Sequence, residues 1–227
     1  MTNKKNLGIL GLIVLAVAAG ALIYRDRKMS VIQITETSPN SSSTVGINMT
    51  GDGKVQLQQL EQKLPPAPSL VRSTDFGIAL NPEIKAAVIT RLNTTIAAIQ
   101  KEPTNISNWI DLGLNRKTLG DYEGARQAWE YAKALSPNGN IVPYNNLGDL
   151  YHFYLKDYPK SEENWKKVIA LKPDYIQGYR GLYELYTYSY KEKAAEIPVF
   201  LKLGIAKNPS STDLKQMLAD YQKTLIK

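Results

Sequence analysis

The side chains that could perform catalysis are few, and they do not form a recognisable set. His152 is the only histidine of the chain, and it has no obvious nucleophile partner in the sequence. Glu162 and Glu163 are adjacent and lie near Asp157, but such carboxylates are typical of the solvated side of a helix. The sequence therefore contains no catalytic constellation, and we predict that the protein is not an enzyme.

Metal and cofactor sites are not indicated either. The chain has no cysteine, which excludes disulfides, thiolate metal sites and a cysteine nucleophile. A single histidine excludes a metal site with several histidine ligands. Gly8 and Gly11 lie in an apolar run, and Gly51-Asp52-Gly53 precedes no convincing helix, so no phosphate-binding loop is predicted. We expect no cofactor and no metal.

The basic charge of the chain is divided between its two ends. The formal net charge is +7. Residues 1–30 contain five basic residues and one acidic residue, whereas residues 81–227 contain 20 basic and 16 acidic residues. The excess in the longer part is small for a nucleic-acid-binding protein, which usually concentrates positive charge on one face. We therefore expect no nucleic-acid partner.

An uncharged run from Leu7 to Tyr24 predicts a membrane-spanning helix. Its length in helical form is about 27 Å, close to the thickness of a bilayer core. Basic residues flank it on both sides, so the positive-inside rule does not set the orientation. We interpret residues 1–28 as an uncleaved single-pass anchor, with the longer C-terminal part on the non-cytoplasmic side. The alternative is a secretory signal that is cleaved near Ala16–Ala19.

Residues 29–75 are predicted to be a linker. The stretches Ser38–Thr44 and Leu64–Ser69 are rich in turn-forming residues and in proline. We favour a mostly extended spacer that is stiffened by the three prolines of the second stretch. The alternative is a small β-hairpin around Gly51-Asp52-Gly53, because apolar and polar residues alternate on both sides of it.

A pattern recurs about every 35 residues after this linker. Leu112, Leu147 and Leu182 are 35 residues apart, and an aromatic residue stands three positions before each. A proline recurs every 36 residues, at positions 137, 173 and 209. Within each unit the apolar residues are spaced by three and four. Each unit is therefore predicted to be a pair of helices that stacks on its neighbours.

Small and large residues occupy complementary positions in these units. Gly113 and Gly148 are small where a first helix would cross its partner closely, and Ala125 and Ala132 are small on the facing helix. The large aromatic residues predicted to fill the gaps between successive pairs are Trp109, Trp129, Tyr144 and Trp165. The aspartate of each turn is suited to cap the following helix, and the recurring prolines are expected to end the second helices.

This order of residues resembles the tetratricopeptide repeat. Units of that family carry a large residue, Leu-Gly, an aromatic, then Gly-Asp-Tyr, Ala, an aromatic, Ala and a closing Pro. The resemblance covers residues 105–209, with repeats at about 105–138, 141–174 and 175–210. It implies an all-α fold, a right-handed α-solenoid of about three helix pairs within residues 76–227. The third unit departs from the pattern at Tyr183 and Pro198, so we expect it to be more open and kinked at the proline.

Single helices are predicted on both sides of the repeats. One begins at Asn81-Pro82 and ends near Pro103, and it corresponds to the second helix of a repeat. The other begins at Ser211 or Thr212 and caps the array within residues 211–227. Terminal helices are needed because a repeat cannot bury its hydrophobic side alone.

In the tetratricopeptide family, the inner side of the first helices forms a concave groove that binds peptides. The candidate partner-binding residues that match this groove are Ile110, Leu114, Lys117, Asn145, Asp149, His152, Phe153, Gln177, Arg180, Glu184 and Tyr188. One subfamily uses Lys and Asn in this groove to clamp a C-terminal carboxylate. Here Ile110 and Leu114 stand in their place, so that clamp is not expected.

Some aromatic residues of these helices have two interpretations. A tyrosine series at helical spacing is predicted to belong to the core between repeats and not to a recognition stripe; its members are Tyr179, Tyr183, Tyr186 and Tyr190. Tyr188 lies off that side and is the better ligand candidate. His152 is either a groove residue or a partly buried packing residue.

The sequence predicts a membrane-tethered scaffold or adaptor that binds a protein or peptide in its concave groove. Tethering raises the effective concentration of such a site near a membrane. The alternative is a structural subunit of a membrane or envelope assembly that uses its convex side. A third hypothesis, contact of the basic residues with acidic lipid or nucleic acid, predicts steep salt dependence.

Overall fold

The computed structural model describes residues 32–38, 41–49, 55–60 and 64–225. The chain divides into two compact units, one that contains most of the strand residues and one that contains residues 63–227. We describe each unit by itself. The predicted anchor lies outside the described residues. Among the helices that are described, none is long and apolar enough to cross a membrane.

Three strands occupy much of the predicted linker. They are β1 (Ile32–Ser38), β2 (Ser41–Met49) and β3 (Val55–Leu60), and they form one sheet in the order β1-β2-β3. β2 and β3 are antiparallel, with Thr44 opposite Leu60 and Met49 opposite Val55. The preference for an extended spacer is therefore corrected in this segment, because alternating residues on both sides of a Gly-rich turn favour pairing. The all-α prediction holds only for residues 64–225.

Eight α-helices follow within residues 64–225. They are α1 (Pro82–Lys101), α2 (Ile106–Thr118), α3 (Tyr122–Leu135), α4 (Val142–Leu150), α5 (Tyr158–Leu171), α6 (Ile176–Glu184), α7 (Ile197–Lys207) and α8 (Thr212–Thr224). Helices α2 to α7 form three successive pairs, and α1 and α8 lie at the two ends. Each helix packs against the next along the chain, as expected for stacked repeats.

Local sequence sets the helix boundaries. The side chain of Asn81 accepts hydrogen bonds at the start of α1, and Asp121 and Asp157 do the same for α3 and α5. Ser211 caps α8 in the same way. The second helices α3, α5 and α7 all end two positions before the recurring prolines. The predicted caps and stops are confirmed.

The predicted alternation of small and large residues forms the core. Trp109, Trp129 and Trp165 are each at most 1% exposed. A Cβ atom added at Gly148 would lie 2.6 Å from Cε2 of Trp165, and one added at Gly113 would overlap the Trp129 indole. The glycines therefore let each first helix lie directly against the tryptophan of its partner.

The third pair differs from the other two, and only partly as the sequence predicted. Its two helices contact each other less than those of the other pairs do, so the more open packing is confirmed. Residues Lys191–Glu196 form a 3₁₀-helix, and α7 begins only at Ile197. Pro198 thus lies in the first turn of α7. Backbone N–H groups make no intrahelical hydrogen bond there, so a proline costs none, and its fixed φ suits the helix. The predicted kink at Pro198 is wrong. A Cβ atom added at Gly181 would overlap Trp165 of the preceding pair, so this glycine lets the third pair lie close to the second.

A π-helical turn extends the first helix of the second and third pairs. These turns are Tyr151–Leu155 after α4 and Leu185–Ser189 after α6. A π turn takes about one residue more than an α turn, so it rotates the side chains that follow it. Sequence analysis with a period of 3.6 does not anticipate this rotation.

The residues just before α1 lie against the helices. We call residues 64–80 the strap. Arg72 of the strap makes a two-pronged ion pair with Asp121 at the start of α3, at 2.5 and 2.7 Å. Arg116 of α2 is 2% exposed and donates to the backbone oxygens of Ser69 and Leu70. The predicted domain boundary at residue 76 is therefore corrected, because a buried arginine obtains its acceptors from residues before it.

Candidate functional site

The candidate groove residues all lie on the first helices α2, α4 and α6 or on the π turns that extend them. We call the exposed side of these elements the first-helix face. Leu114, Phe153 and Tyr188 are the most open apolar side chains on it, with exposed fractions of 54%, 45% and 68%. Exposed apolar side chains thus recur on this face in all three repeats, which makes it the candidate interaction surface.

Two carboxylates of neighbouring repeats lie on the same face. Asp149 of α4 and Glu184 of α6 are 35 residues apart and occupy equivalent positions. Burial raises the pKa of Asp149, the positive charge of Lys117 opposes this effect, and the negative charge of Glu184 adds to it. The two carboxylates are thus close enough to repel each other, and the Asp149 carboxyl is partly removed from water.

Lys117 does not neutralise this pair by direct contact. Its ammonium group lies 4.9 Å from the centre of the Tyr154 ring, which is a cation–π distance. Tyr154 in turn packs against Tyr122 of α3, with ring centres 4.5 Å apart. Sequence analysis missed Tyr154 and Tyr122. The sequence feature that could have indicated Tyr154 is the aromatic run from Tyr151 to Tyr154. Which of its side chains are exposed depends on the π turn.

His152 is buried at 3% exposure, which agrees with the packing interpretation. Its Nε2 atom is 2.9 Å from Oγ of Ser189, so the histidine joins the π turns of the second and third pairs. Its ring stacks on Phe153 at 4.0 Å. Burial and the charge of Lys156 lower the pKa of His152, which favours the neutral imidazole.

The remaining candidate residues differ in how available they are to a binding protein. Arg180 forms an ion pair with Asp213 of α8, so the capping helix already engages it. Ile110 packs on the core, and its backbone oxygen accepts from Nε1 of Trp129. Gln177 is exposed. Oδ1 of Asn145 is a buried atom with no hydrogen-bond partner among the described residues.

A cleft of about 600 Å³ lies elsewhere, between the prolines of the strap and the outer side of α3. The charged side chains that line it are already paired, Arg126 with Glu123 and Lys133 with Glu130. The cleft therefore offers no free charge to orient a ligand. The first-helix face, which is open and carries unpaired carboxylates, is the stronger candidate. In the described part of the chain, no group of acidic or histidine side chains is arranged to hold a metal ion.

The fold is similar to that of solved proteins. The structure of "MamA RS-1 ArsTM double mutant" matches with a TM-score of 0.51 and 17% identity, over 63% of this chain and 78% of that chain. "Crystal structure of MamA" matches with a TM-score of 0.52 and 15% identity, over 65% of this chain and 86% of that chain. The "First TPR of Spaghetti (RPAP3) bound to HSP90 peptide SRMEEVD" matches with a TM-score of 0.45 and 18% identity, over 54% and 94%.

Comparison of the sequence with protein families and curated proteins identifies no relative. No protein-family model matches the chain, and no curated protein matches it significantly. The helix pairs with their 35-residue period, together with the MamA likeness, confirm the predicted tetratricopeptide-like fold.

Proposed function

We propose that this protein is a membrane-tethered scaffold that binds a protein or peptide partner in the concave groove of its tetratricopeptide-like domain. The observation that carries this proposal is the first-helix face. It exposes apolar side chains in consecutive repeats, at Leu114, Phe153 and Tyr188. Neighbouring core residues are almost fully buried, so this exposure is not a result of poor packing. No catalysis is part of the proposal.

The membrane tether is a second part of the proposal. It depends on the uncharged run from Leu7 to Tyr24 and its basic flanks. The repeat domain is proposed to lie on the non-cytoplasmic side. Alkaline extraction of membranes from source cells tests the tether: the full chain is expected to stay in the pellet, and a chain without residues 1–28 is expected to be released. Release of both would contradict the tether.

Groove binding is tested by cross-linking the full chain to its neighbours in source cells. The test variant combines Phe153→Ala and Tyr188→Ala, which remove two exposed aromatic side chains with little loss of core packing. The control variant combines Val199→Ala and Leu203→Ala, which are also exposed but lie on α7. We expect the partner to be lost only from the first variant. A partner that both variants retain would contradict groove binding.

A subunit of a membrane or envelope assembly is the second candidate function. One observation favours it: Val199 and Leu203 are 72% and 50% exposed and lie one turn apart on α7, a second helix. In such an assembly this side would be permanently covered. Loss of the partner from the Val199→Ala and Leu203→Ala variant alone would select this function over groove binding.

A further inference from the structure

Asp149 and Glu184 form an acidic pair on the first-helix face, with two negative charges against the single nearby positive charge of Lys117. They occupy equivalent positions of successive repeats, and α4 contacts α6 directly. Neither carboxylate forms an ion pair with a described residue. The nearby Lys117 is directed to the Tyr154 ring instead. Partly buried carboxylates without a cation are unusual, because their desolvation is not repaid by an ion pair.

Polar groups without partners accompany this pair on the same two helices and their π turns. Oδ1 of Asn145, which stands one turn before Asp149, can only accept hydrogen bonds and has no donor within the described chain. Nδ1 of His152 and Oγ1 of Thr187 also lack a partner there. This region therefore has polar atoms that a ligand could pair with, and its two carboxylates outnumber the one nearby cation, Lys117.

Exposed apolar side chains share the first-helix face with the acidic pair. Leu114 lies in the first repeat, and Phe153 and Tyr188 stand four positions after Asp149 and Glu184, on the π turns. A ligand that fits this surface needs a cationic donor at its centre and apolar groups beside it. Lysine and arginine side chains supply such donors, and their aliphatic stems pack well on aromatic rings.

We infer that the first-helix face binds a peptide segment of a partner protein through a lysine or arginine seated against Asp149 and Glu184, with an apolar neighbour on the exposed aromatic side chains. This inference rests on the proposed function and names the chemistry of its ligand. An acidic peptide is disfavoured, because it would bring a third negative charge to a site whose two carboxylates already outnumber its one nearby cation.

The test uses the full chain in detergent micelles and an array of synthetic nine-residue peptides. Their flanks vary among aliphatic and aromatic residues, and the central residue is Lys, Arg, norleucine, Gln or Glu. Binding is then measured by fluorescence anisotropy. We expect Lys or Arg at the centre to bind at least about tenfold more tightly than norleucine or Glu, with an affinity that falls as salt rises.

Charge-neutral variants show whether the acidic pair is responsible. Asp149→Asn with Glu184→Gln is expected to abolish the preference for Lys over norleucine and to leave the affinity for norleucine peptides unchanged. Glu163→Gln with Glu192→Gln removes two exposed carboxylates elsewhere and serves as the control for net charge. A preference that survives in the first variant would overturn the inference.

The remaining outcomes separate the inference from the proposed function. If norleucine or Glu peptides bind best and lose affinity on Phe153→Ala with Tyr188→Ala, the groove function holds and the inference fails. If no peptide binds, both fail. If sedimentation shows self-association that Asp149→Asn abolishes, a second copy of this chain occupies the face, and the inference is again overturned.

Discussion

The indole ring of Trp165 lies so close to Gly148 that it requires a glycine at this position. A Cβ atom at this position would come within 2.6 Å of Trp165, a fully buried side chain that also contacts Gly181 of the next repeat. Neither the ring nor the helix backbone can withdraw easily, because α4, α5 and α6 meet at this point. The glycine is therefore required by a close approach, and its φ is ordinary.

Gly148→Ala is expected to lower the free energy of unfolding by about 1–3 kcal/mol, because it overpacks this contact. Urea denaturation followed by circular dichroism measures the change. Gly139→Ala is the control, since the added methyl group there meets only the flexible Ser136 side chain in an exposed loop. Equal changes in the two variants would show that the Trp165 contact does not restrict the residue at position 148.

Asp149→Asn is expected to stabilise the protein at pH 7 and to have little effect at pH 3. Burial and Glu184 raise the pKa of Asp149 above its ordinary value of 3.8. The protonated carboxyl is thus favoured by folding, and stability that is present at low pH is lost as the pH rises through the folded-state pKa. Neutralising the residue removes this loss.

Thermal unfolding between pH 3 and pH 7 measures the effect. The difference in Tm between Asp149→Asn and the parent protein should grow as the pH rises through the acidic range. Asp111→Asn, which removes an exposed carboxylate of α2, is the matched control. A constant difference over the whole range would mean that Asp149 titrates alike in the folded and unfolded chains. A stabilising substitution at the proposed ligand site would also be typical of function at some cost in stability.

The strap is an element without regular secondary structure whose position depends on charge. Arg116 is almost fully buried, and burial lowers its pKa to about 10 even beside Asp121. It remains charged at neutral pH, so it needs the backbone oxygens of Ser69 and Leu70. A buried cation of this kind ties the strap to the first helix pair more firmly than exposed ion pairs could.

Arg72→Met in the full chain is expected to lower the free energy of unfolding by about 1–3 kcal/mol, because it leaves Asp121 without its closest cation. Arg72 is 26% exposed in this pair, which moderates the loss. Arg126→Met breaks the exposed pair with Glu123 and should cost only about 0.5 kcal/mol. Urea denaturation of the two variants gives the comparison, and similar losses would contradict the special role of the strap.

Helix α8 closes the hydrophobic core of the third pair. Leu214 is fully buried there, together with Ile197 and Leu201 of α7. Leu214→Ala should therefore destabilise the protein by about 2–5 kcal/mol, through lost burial and a residual cavity. Leu225→Ala, at an exposed position after the same helix, should be nearly neutral. Equal unfolding free energies for the two variants would show that α8 is dispensable.

The sequence predicted those helices whose signals are local. Asn81, Asp121, Asp157 and Ser211 marked the helix starts because a short polar side chain can cap only from that position. The π turns, by contrast, follow from packing between helices. They bury His152 and bring Tyr154 to Lys117, and no local motif encodes either result.

Long-range contacts explain the other differences. Residues 64–75 of the strap fall in the predicted linker because their prolines and polar residues resemble a spacer, and only the position of Arg116 in three dimensions shows that they are bound. Pro198 is compatible with either a kink or a helix start, and the 3₁₀-helix before it decides between them. For the solenoid as a whole, periodicity was sufficient, because every repeat has the same contacts to satisfy.

The solenoid as a unit has its three tryptophans in the first two pairs. Trp109 and Trp129 lie in the first pair, Trp165 lies against Gly148 and Gly181, and the third pair relies on tyrosine. Tryptophan fluorescence can therefore report whether the repeats unfold together or one after another. Variants that keep a single tryptophan would emit separately from the first pair and from the boundary with the third. If the emission maxima of all single-tryptophan variants shift to the red at the same temperature, the repeats unfold in one transition. If the Trp165 emission shifts at a lower temperature, the array unfolds first at its C-terminal end.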